Sequence, residues 1–359
     1  MIKTYKTYLI NLFLKKILLV SLIFLALIYI LSIFDEITFF KETKVSFFYP
    51  FFLTALNSSS LLFEIFPFIF LISTQLFYLD LIEKNELDIL KVNGLNNLKI
   101  IKILLIVTLI LGTLLITIFY SFSAKLKFVY LDLKNKHSSD NKYLAVVTNN
   151  GLWVKDEINA KIYIIRAAKI KDNFLETVII SEFSKDFDLI QILKSKKVDI
   201  KDANWIIYNP SILKDNSTKN IDGTQILKTH FDQKKINSLF RNLLSLNILE
   251  LFKLRDDYMS LGYATNNIKL HLYKLFSFPV YLSLMMLSGS IIMLNIERNK
   301  PVIFHILLGV FFSVIIYYFY YLFNVLGEGG KIPLLLSVSL PLLIIATFIL
   351  IGLVRINEK

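Results

Sequence analysis

Five uncharged apolar runs constrain this chain more than any other feature, because each is long enough to cross a lipid bilayer, which takes about 20 residues. The chain has 359 residues, of which 55% are hydrophobic and 19% charged. A soluble domain of this length could not bury so much apolar surface, and the same composition excludes a disordered chain. We therefore predict a membrane protein. The runs are Ile17–Phe34, Ile103–Ala124, Leu275–Ile296, Pro301–Leu326 and Ile332–Val354.

A sixth apolar stretch, Val45–Leu79, holds one charge, Glu64, and is too long for a single untilted span. Pro50 and the polar cluster Asn57–Ser60 interrupt it. We expect an interfacial or partly embedded lead-in, followed by one span from about Ser60 to Leu79. Two short spans are the alternative, and they would invert the orientation of everything downstream.

The distribution of lysine and arginine predicts the orientation of six spans, because cytoplasmic loops are enriched in both residues. With the N-terminus inside, twelve basic residues flank the spans on the cytoplasmic side and three lie in short external loops. Both termini are then cytoplasmic, and the segment between spans three and four is external. The formal charge of +12 mostly records this orientation rather than nucleic-acid binding. The inner group is Lys3, Lys6, Lys15, Lys16, Lys84, Lys91, Lys99, Lys102, Arg298, Lys300, Arg355 and Lys359, and the outer group is Lys41, Lys44 and Lys331.

The first apolar run follows several lysines, as in a signal peptide. It is longer than a usual signal-peptide core, and no small-x-small cleavage site follows it. We therefore expect an uncleaved first span.

Residues 125–274 form the only long polar block, in which short β-type runs recur between turn signals. Eight short strands at this spacing predict a sandwich or barrel-like β fold. We expect Trp153 and Trp205 to be core aromatic residues of that domain. The expected strands are Tyr143–Thr148, Leu152–Lys155, Lys161–Arg166, Thr177–Phe183, Leu189–Leu193, Val198–Ile200, Trp205–Tyr208 and Gln225–Phe231.

After Asp232 the apolar spacing becomes helical. The amphipathic stretch reaches Leu261-Gly262 and leads back to span four. Its apolar positions are Leu239, Leu243, Leu246, Leu249 and Phe252.

The loop between spans two and three, residues 80–96, is net acidic over its predicted helix, where the positive-inside rule expects basic residues. Leu87 and Leu90 share one face of that helix, and Glu83 and Glu86 lie one turn apart beside them. The functional interpretation is a docking helix that enters a groove on a cytoplasmic partner, where basic residues meet its carboxylates.

A solvated connector with pairs such as Lys84–Asp88 explains the same loop equally well. Gly94 is typical of a helix stop, and we expect Asn97 to be the N-cap of the next span.

Several motifs, in this order along the chain, resemble the LptF/LptG lipopolysaccharide-export permeases. Pro67 followed by the segment Asn85–Gly94 is similar to the family's proline in span two and its S-E-L-x-x-x-x-x-x-G pattern. The external Gly151-Leu152-Trp153-Val154-Lys155-Asp156, followed by Tyr163-Ile164, resembles the G-L-W-x-x-D opening of the LptG periplasmic domain. Further similar features are Pro279 in span four, and Gly327, Pro333 and Pro341 around the last turn.

The resemblance implies an α-helical membrane protein with six transmembrane helices and an inserted all-β, jellyroll-like periplasmic domain. It implies transmembrane helices 1–3 in residues 1–124 with a cytoplasmic coupling helix at 80–94. The β domain and its trailing amphipathic helix follow in 125–265, and transmembrane helices 4–6 follow in 266–359.

The implied function is that of a permease subunit in an ABC-type transporter of the inner membrane. Such a complex extracts lipopolysaccharide from the membrane and passes it to a periplasmic β-jellyroll bridge protein. The implied partners are an ATPase subunit dimer and a second, LptF-like permease. The chain itself would use no cofactor, because the ATPase subunit binds and hydrolyses ATP.

The resemblance also implies functional residues. Glu86 matches the coupling-helix glutamate that docks on the ATPase. The ATPase-coupling residues are expected to be Glu83, Glu86, Leu87, Leu90 and Gly94. LptG-like proteins have lysines near the end of span one, whereas this chain has Ser32, Phe34 and Asp35 there. The candidate contacts to lipid head groups are Lys41, Lys44, Lys269 and Lys274.

The remaining sequence motifs do not indicate an enzyme. The chain has no cysteine, its four histidines have no metal-ligand spacing, and it has no G-x-S-x-G motif. Gly327–Lys331 lacks the phosphate-loop spacing and is interpreted as a turn between spans five and six. We expect His305 to be a buried, hydrogen-bonded histidine, and Glu64 to reach the interface or pair with a lysine.

Two function hypotheses remain beside the LptG-like permease. The chain could be the LptF-like subunit of the same complex, because the preference for LptG rests on the G-L-W segment. It could also be a membrane-anchored scaffold whose β domain binds periplasmic proteins. A membrane enzyme would need convergent acid–base residues near the outer interface, and the sequence shows none at suitable spacing.

Overall fold

Six long apolar helices and one antiparallel sheet dominate the structure, a computed structural model that describes residues 2–41, 45–137, 152–159, 161–171, 173–214, 217–233, 236, 241–260, 263–295 and 302–357. The helices are α1 (Ile2–Phe40), α2 (Tyr49–Glu83), α3 (Glu86–Val92), α4 (Asn97–Asn135), α5 (Ile248–Ser260), α6 (Asn266–Leu294), α7 (Val302–Glu328) and α8 (Leu334–Asn357). The strands are β1 (Leu152–Ile158), β2 (Lys161–Lys171), β3 (Phe174–Phe183), β4 (Leu189–Asp199), β5 (Asn204–Tyr208), β6 (Ser211–Lys214), β7 (Ser217–Asn220) and β8 (Thr224–Lys228).

The chain divides into two compact units. The helical unit comprises residues 1–130, 244–248 and 266–359, and the β unit comprises residues 131–243 and 249–265. Six helices, α1, α2, α4, α6, α7 and α8, are long and apolar enough to cross a membrane, which confirms the predicted fold class. We refer to them as spans one to six.

The helix α2 runs without a break from Tyr49 to Glu83, so the alternative of two short spans is wrong. Pro50 lies in its first turn, where the missing N–H has no helical partner to lose. The polar cluster stays helical because its hydroxyls bond back to carbonyls one turn earlier; Ser58 Oγ, for example, donates to Thr54 O at 2.6 Å. The expected lead-in therefore belongs to the same helix.

Spans two and four form the centre of the helical unit. In the most apolar 18-residue stretch of each of these two helices, 61% is buried, whereas the corresponding share in spans one and five is 11%. Leu71 of α2 and Met285 of α6 are fully buried in a cluster that α8 completes with Leu342 and Ile345. Most of the apolar surface of spans one and five therefore has no protein neighbour among the described residues.

A glycine lets spans three and four approach closely. A Cβ atom at Gly112 would lie 2.8 Å from Pro279 Cα, closer than real Cβ contacts occur. Just beyond this contact, Leu115–Tyr120 forms a π-helical segment within α4. Such segments are rare in helices and are often found at functional sites.

The β unit is built on one eight-stranded antiparallel sheet with the order β1-β2-β3-β4-β5-β8. Two strands share one edge of β4: Lys197–Asp199 pairs with β5, and Ile192–Lys194 pairs with β6. The strand β6 in turn pairs with β7. Buried and exposed residues alternate along β1, so one face of the sheet forms the core. The confirmed fold is therefore a strand-rich domain inserted between spans three and four.

Several strand predictions need correction. The predicted strands Leu189–Leu193 and Val198–Ile200 are parts of one strand, β4. The hairpin of β6 and β7 was not predicted. The last predicted strand, Gln225–Phe231, ends at Lys228. The predicted strand Tyr143–Thr148 lies outside the described residues.

The segment after β8 closes one end of the sheet. The buried Trp205 donates from Nε1 to Phe231 O at 2.7 Å, and the carboxylate of Asp156 in β1 accepts from His230 N at 2.9 Å. The His230 Nδ1 lies 2.7 Å from the same carboxylate. Trp205 is thus a core residue as predicted, whereas the prediction for Trp153 is wrong: its side chain is 50% exposed and lies against Arg166 of β2.

The amphipathic helix after the sheet is shorter than predicted. It begins at Ile248, after a short 3-10 segment at Leu243–Ser245, and ends at Ser260. Leu239 and Leu261-Gly262 lie outside the described residues.

Candidate functional site

The predicted coupling residues lie in one compact segment that follows span two, which we call the coupling segment (residues 80–95). The helix α2 ends at Glu83, and Asn85 then adopts a left-handed conformation with φ 53°. A separate helix, α3, starts at Glu86. The expected continuous helix over 80–94 is thus divided, and no ion pair joins Lys84 to Asp88 in this fully described segment.

The end of α3 is fixed by Gly94, as predicted for a helix stop. Gly94 has φ +86°, its N–H donates to Lys91 O, and the Leu95 N–H donates to Leu90 O. These two bonds form the Schellman arrangement that favours glycine. The N-cap of span three is Asn96 rather than the predicted Asn97, because the Asn96 side chain accepts from Lys99 N at 3.0 Å.

The coupling segment has an inner and an outer side. Leu87 is buried and Leu90 partly buried, so both attach α3 to the helical unit. The side chains of Ile89 and Val92 are 58% and 88% exposed. The sequence prediction missed these two residues, although their i,i+3 spacing and their place beside the acidic residues were visible in it.

The acidic residues of the coupling segment differ in their partners. Glu86 Oε2 accepts a hydrogen bond of 2.5 Å from the Tyr8 hydroxyl of span one. Asp80 pairs with Lys16, also in span one, at 2.8 Å. Glu83 and Asp88 are exposed. The exposed apolar pair therefore lies on the same short segment as the exposed carboxylates.

The candidate lipid-contact lysines lie at the opposite ends of the spans. Lys41 follows α1 and is exposed, whereas Lys269 and Lys274 in α6 are partly exposed. Among the described residues no hydrogen bond or ion pair holds these three ammonium groups. Lys44 lies outside the described residues.

Two acidic residues act electrostatically on Lys274 at this end of the helical unit. Lys274 interacts electrostatically with Glu64 and Glu328, and Glu64 also interacts with Lys127 of span three. Lys127 donates to Asn57 Oδ1 at 2.6 Å. Among the described residues no ion pair joins Glu64 to a lysine, so the expected pairing of that residue stays a prediction.

Two further contacts at this end involve residues that the sequence prediction did not select. Tyr130 donates to the buried Glu36 of span one at 2.7 Å, and Tyr120 lies 2.8 Å from His271 Nε2. Each contact joins span three to another span. Residues 125–135 were assigned to the β domain because they contain lysines, which hid Lys127 and Tyr130 from the prediction.

His305 is buried, as expected, but its Nδ1 has no hydrogen-bond partner among the described residues. Its backbone carbonyl instead accepts a hydrogen bond from Gln75 Nε2 of span two at 2.8 Å. The turn predicted over Gly327–Lys331 begins only after Glu328, where α7 ends, and the Lys331 N–H closes it on Leu326 O. Within the described part of the chain, no group of three or more acidic or histidine residues could hold a metal ion.

A six-span helical unit with a β domain inserted between spans three and four defines the class of multi-pass membrane proteins with an inserted β domain. The family model of the lipopolysaccharide export system permease LptF/LptG matches residues 7–356. The chain therefore belongs to the LptF/LptG family, which confirms the resemblance, and it is a multi-pass inner-membrane protein. Comparison with curated proteins gives no match.

Membership in the family makes the chain a transport subunit of a lipopolysaccharide export complex with membrane partners. The family match does not separate LptF-like from LptG-like chains.

Proposed function

We propose that this chain is the permease subunit through which a separate ATPase dimer drives lipopolysaccharide out of the inner membrane toward a periplasmic bridge protein. The observation that carries the proposal is the outer side of the coupling segment. Exposed Ile89 and Val92 beside Glu86 are costly in water, and they suit a groove on a soluble partner.

The proposed roles of the coupling residues follow from their burial. Glu86 meets a basic residue of the ATPase, and Glu83 lies beside it at the end of span two. Leu87 and Leu90 hold α3 on the helical unit, and Gly94 ends the helix so that span three can begin. Movement of the ATPase is then transmitted because the segment is attached on its inner side.

The proposed orientation places both termini and the coupling segment in the cytoplasm and the β domain in the periplasm. The excess of basic residues at one set of span ends supports this orientation. It also places the coupling segment on the side where ATP is available.

The proposed lipid path lies at the opposite ends of the spans. Only 11% of the most apolar stretch of spans one and five is buried. The exposed apolar faces of these two helices can therefore contact acyl chains or the second permease subunit. Lys41, Lys44, Lys269 and Lys274 supply ammonium groups for lipid phosphates. The β domain then receives the lipid and passes it to the bridge protein.

We favour the LptG-like over the LptF-like subunit because of the Gly151–Asp156 segment. Leu152 and Asp156 of that segment are buried, and Asp156 holds the segment after β8. The segment thus helps to hold the β domain together, while the preference for LptG rests on its resemblance to the G-L-W-x-x-D motif.

The test is to purify the tagged chain from its native membrane and to identify what accompanies it. We expect an ATPase dimer and a second six-span subunit, and ATP-dependent release of lipopolysaccharide from the reconstituted complex. Ile89→Asp should abolish association with the ATPase, whereas Ile226→Asp, at an isoleucine of β8 that is also largely exposed, should not. A chain that purifies with periplasmic proteins and without an ATPase would instead be a scaffold.

A further inference from the structure

Tyr8 in the second turn of span one holds the key carboxylate of the coupling segment. The Tyr8 hydroxyl donates to Glu86 Oε2 over 2.5 Å, although the two residues are 78 positions apart. A hydroxyl that donates to a carboxylate makes one of the stronger kinds of hydrogen bond. The other oxygen, Oε1, accepts no hydrogen bond within the described residues.

The position of Tyr8 is fixed by its neighbours along span one. Leu9 and Phe13 are fully buried, and the Phe13 ring packs edge-on against Phe70 and Phe77 of span two. Tyr8 itself is 42% exposed, so it lies at the rim of this packed surface. The hydroxyl is therefore held in place by a rigid helix rather than by a mobile loop.

A carboxylate needs such support here because α3 is only 7 residues long and most of its surface is exposed. A free glutamate side chain samples many rotamers, and a partner that binds it must restrict them. The bond to Tyr8 selects one rotamer in advance. It uses one oxygen and leaves the second one for a cation.

We propose that Tyr8 is a positioning residue that presents Glu86 to a basic side chain of the ATPase subunit. This inference rests on the proposed function, in which Glu86 docks on that subunit. Tyr8 itself does not touch the ATPase. Its effect on docking passes through the Glu86 carboxylate alone.

A double-mutant cycle tests the proposal with the purified permease complex in lipid nanodiscs and its purified ATPase subunit. The variants are Tyr8→Phe, Glu86→Ala and the pair combined, and the measured quantity is the dissociation constant. We expect Tyr8→Phe to weaken binding about 3- to 10-fold, as loss of one pre-formed rotamer predicts. In the Glu86→Ala background it should cause no further loss.

The matched control is Tyr5→Phe, one turn earlier on the same helix, where the hydroxyl has no hydrogen bond among the described residues. It should bind the ATPase like the wild type. Because a merely structural role of Tyr8 would not depend on Glu86, equal losses in both backgrounds would overturn the proposal. Wild-type affinity of Tyr8→Phe would overturn it as well.

Failure of the proposed function gives a different result. If Glu86→Ala retains wild-type affinity for the ATPase, Glu86 does not dock there and the underlying function is wrong. If Glu86→Ala loses all measurable binding, the single variants decide: a weakened Tyr8→Phe beside an unchanged Tyr5→Phe supports the role of Tyr8.

Discussion

Replacing Asp156 with alanine removes the buried carboxylate that joins β1 to the segment after β8. This carboxylate is 2% exposed and accepts two hydrogen bonds from His230. Each net hydrogen bond to a charged group contributes about 1.5–3 kcal/mol. The His230 imidazole is 62% exposed and can bond to water instead, so the backbone N–H carries most of the loss. We expect the free energy of unfolding to fall by about 2 kcal/mol.

The assay uses the two tryptophans of the chain, both of which lie in the sheet. Trp205 is fully buried, so its fluorescence reports on the β domain and not on the spans. The full chain in detergent micelles is titrated with urea. With a slope of about 1–3 kcal/mol per molar urea, a loss of about 2 kcal/mol lowers the midpoint by about 1 M.

Two variants calibrate the result. Asp156→Asn keeps one acceptor for the His230 N–H and should lose about half as much stability. Glu157→Ala changes an exposed residue on the opposite face of β1 and should leave the midpoint unchanged. If Asp156→Ala also unfolds at the wild-type urea concentration, the closure of the sheet by this carboxylate is refuted.

Three further variants test other parts of the structure. Gly112→Leu should push spans three and four apart at Pro279, costing about 1–3 kcal/mol and lowering the thermal midpoint in detergent; an unchanged midpoint would contradict the close approach. Gly94→Ala forces a left-handed alanine and should cost about 1 kcal/mol, seen as faster hydrogen exchange at the end of α3. Burial alone would raise the pKa of Glu182, but hydrogen bonds from Lys161 and Gln191 outweigh it and lower the pKa. Glu182 therefore stabilises the sheet above its unfolded pKa of about 4.3. That contribution is lost as the pH falls through the lowered pKa. In Glu182→Gln the free energy of unfolding, measured by tryptophan fluorescence, should therefore decrease less between neutral and acidic pH than in the wild type.

The six spans could be predicted because lipid leaves no alternative for long uncharged runs. Their ends could not, since helices continue through polar residues whose groups bond within the helix. Ser58 in α2 and Lys127 in α4 are examples: one bonds to a carbonyl of its own helix, and the other reaches Asn57 of span two.

The β domain was predicted as a class, and its strands were found where apolar residues alternate. The strand β4 was divided in the prediction because Lys194–Lys197 contains no apolar residue. The strand β7 was missed because all four of its residues are exposed and polar. In both cases backbone pairing with a neighbour, which sequence alone does not display, determines the strand.

The coupling segment was recognised from its charge and from its motif, whereas its contacts were not. Which face of α3 is exposed depends on the break at Asn85, a single residue with φ 53°. The bond between Tyr8 and Glu86 joins residues that no local pattern connects. Ile89 and Val92 were therefore overlooked in favour of Leu87 and Leu90, which face inward.

Span one is attached to the coupling segment at two points, through Tyr8 to Glu86 and through Lys16 to Asp80. The two residues of span one are separated by about 12 Å along the helix axis. A helix with one such contact could still rotate about it, whereas two contacts restrict both sliding of span one along the coupling segment and rotation of span one about its own axis. We therefore expect a displacement of the coupling segment to tilt span one as a whole. The end of span one near Phe40, which is farthest from both contacts, would then move the most.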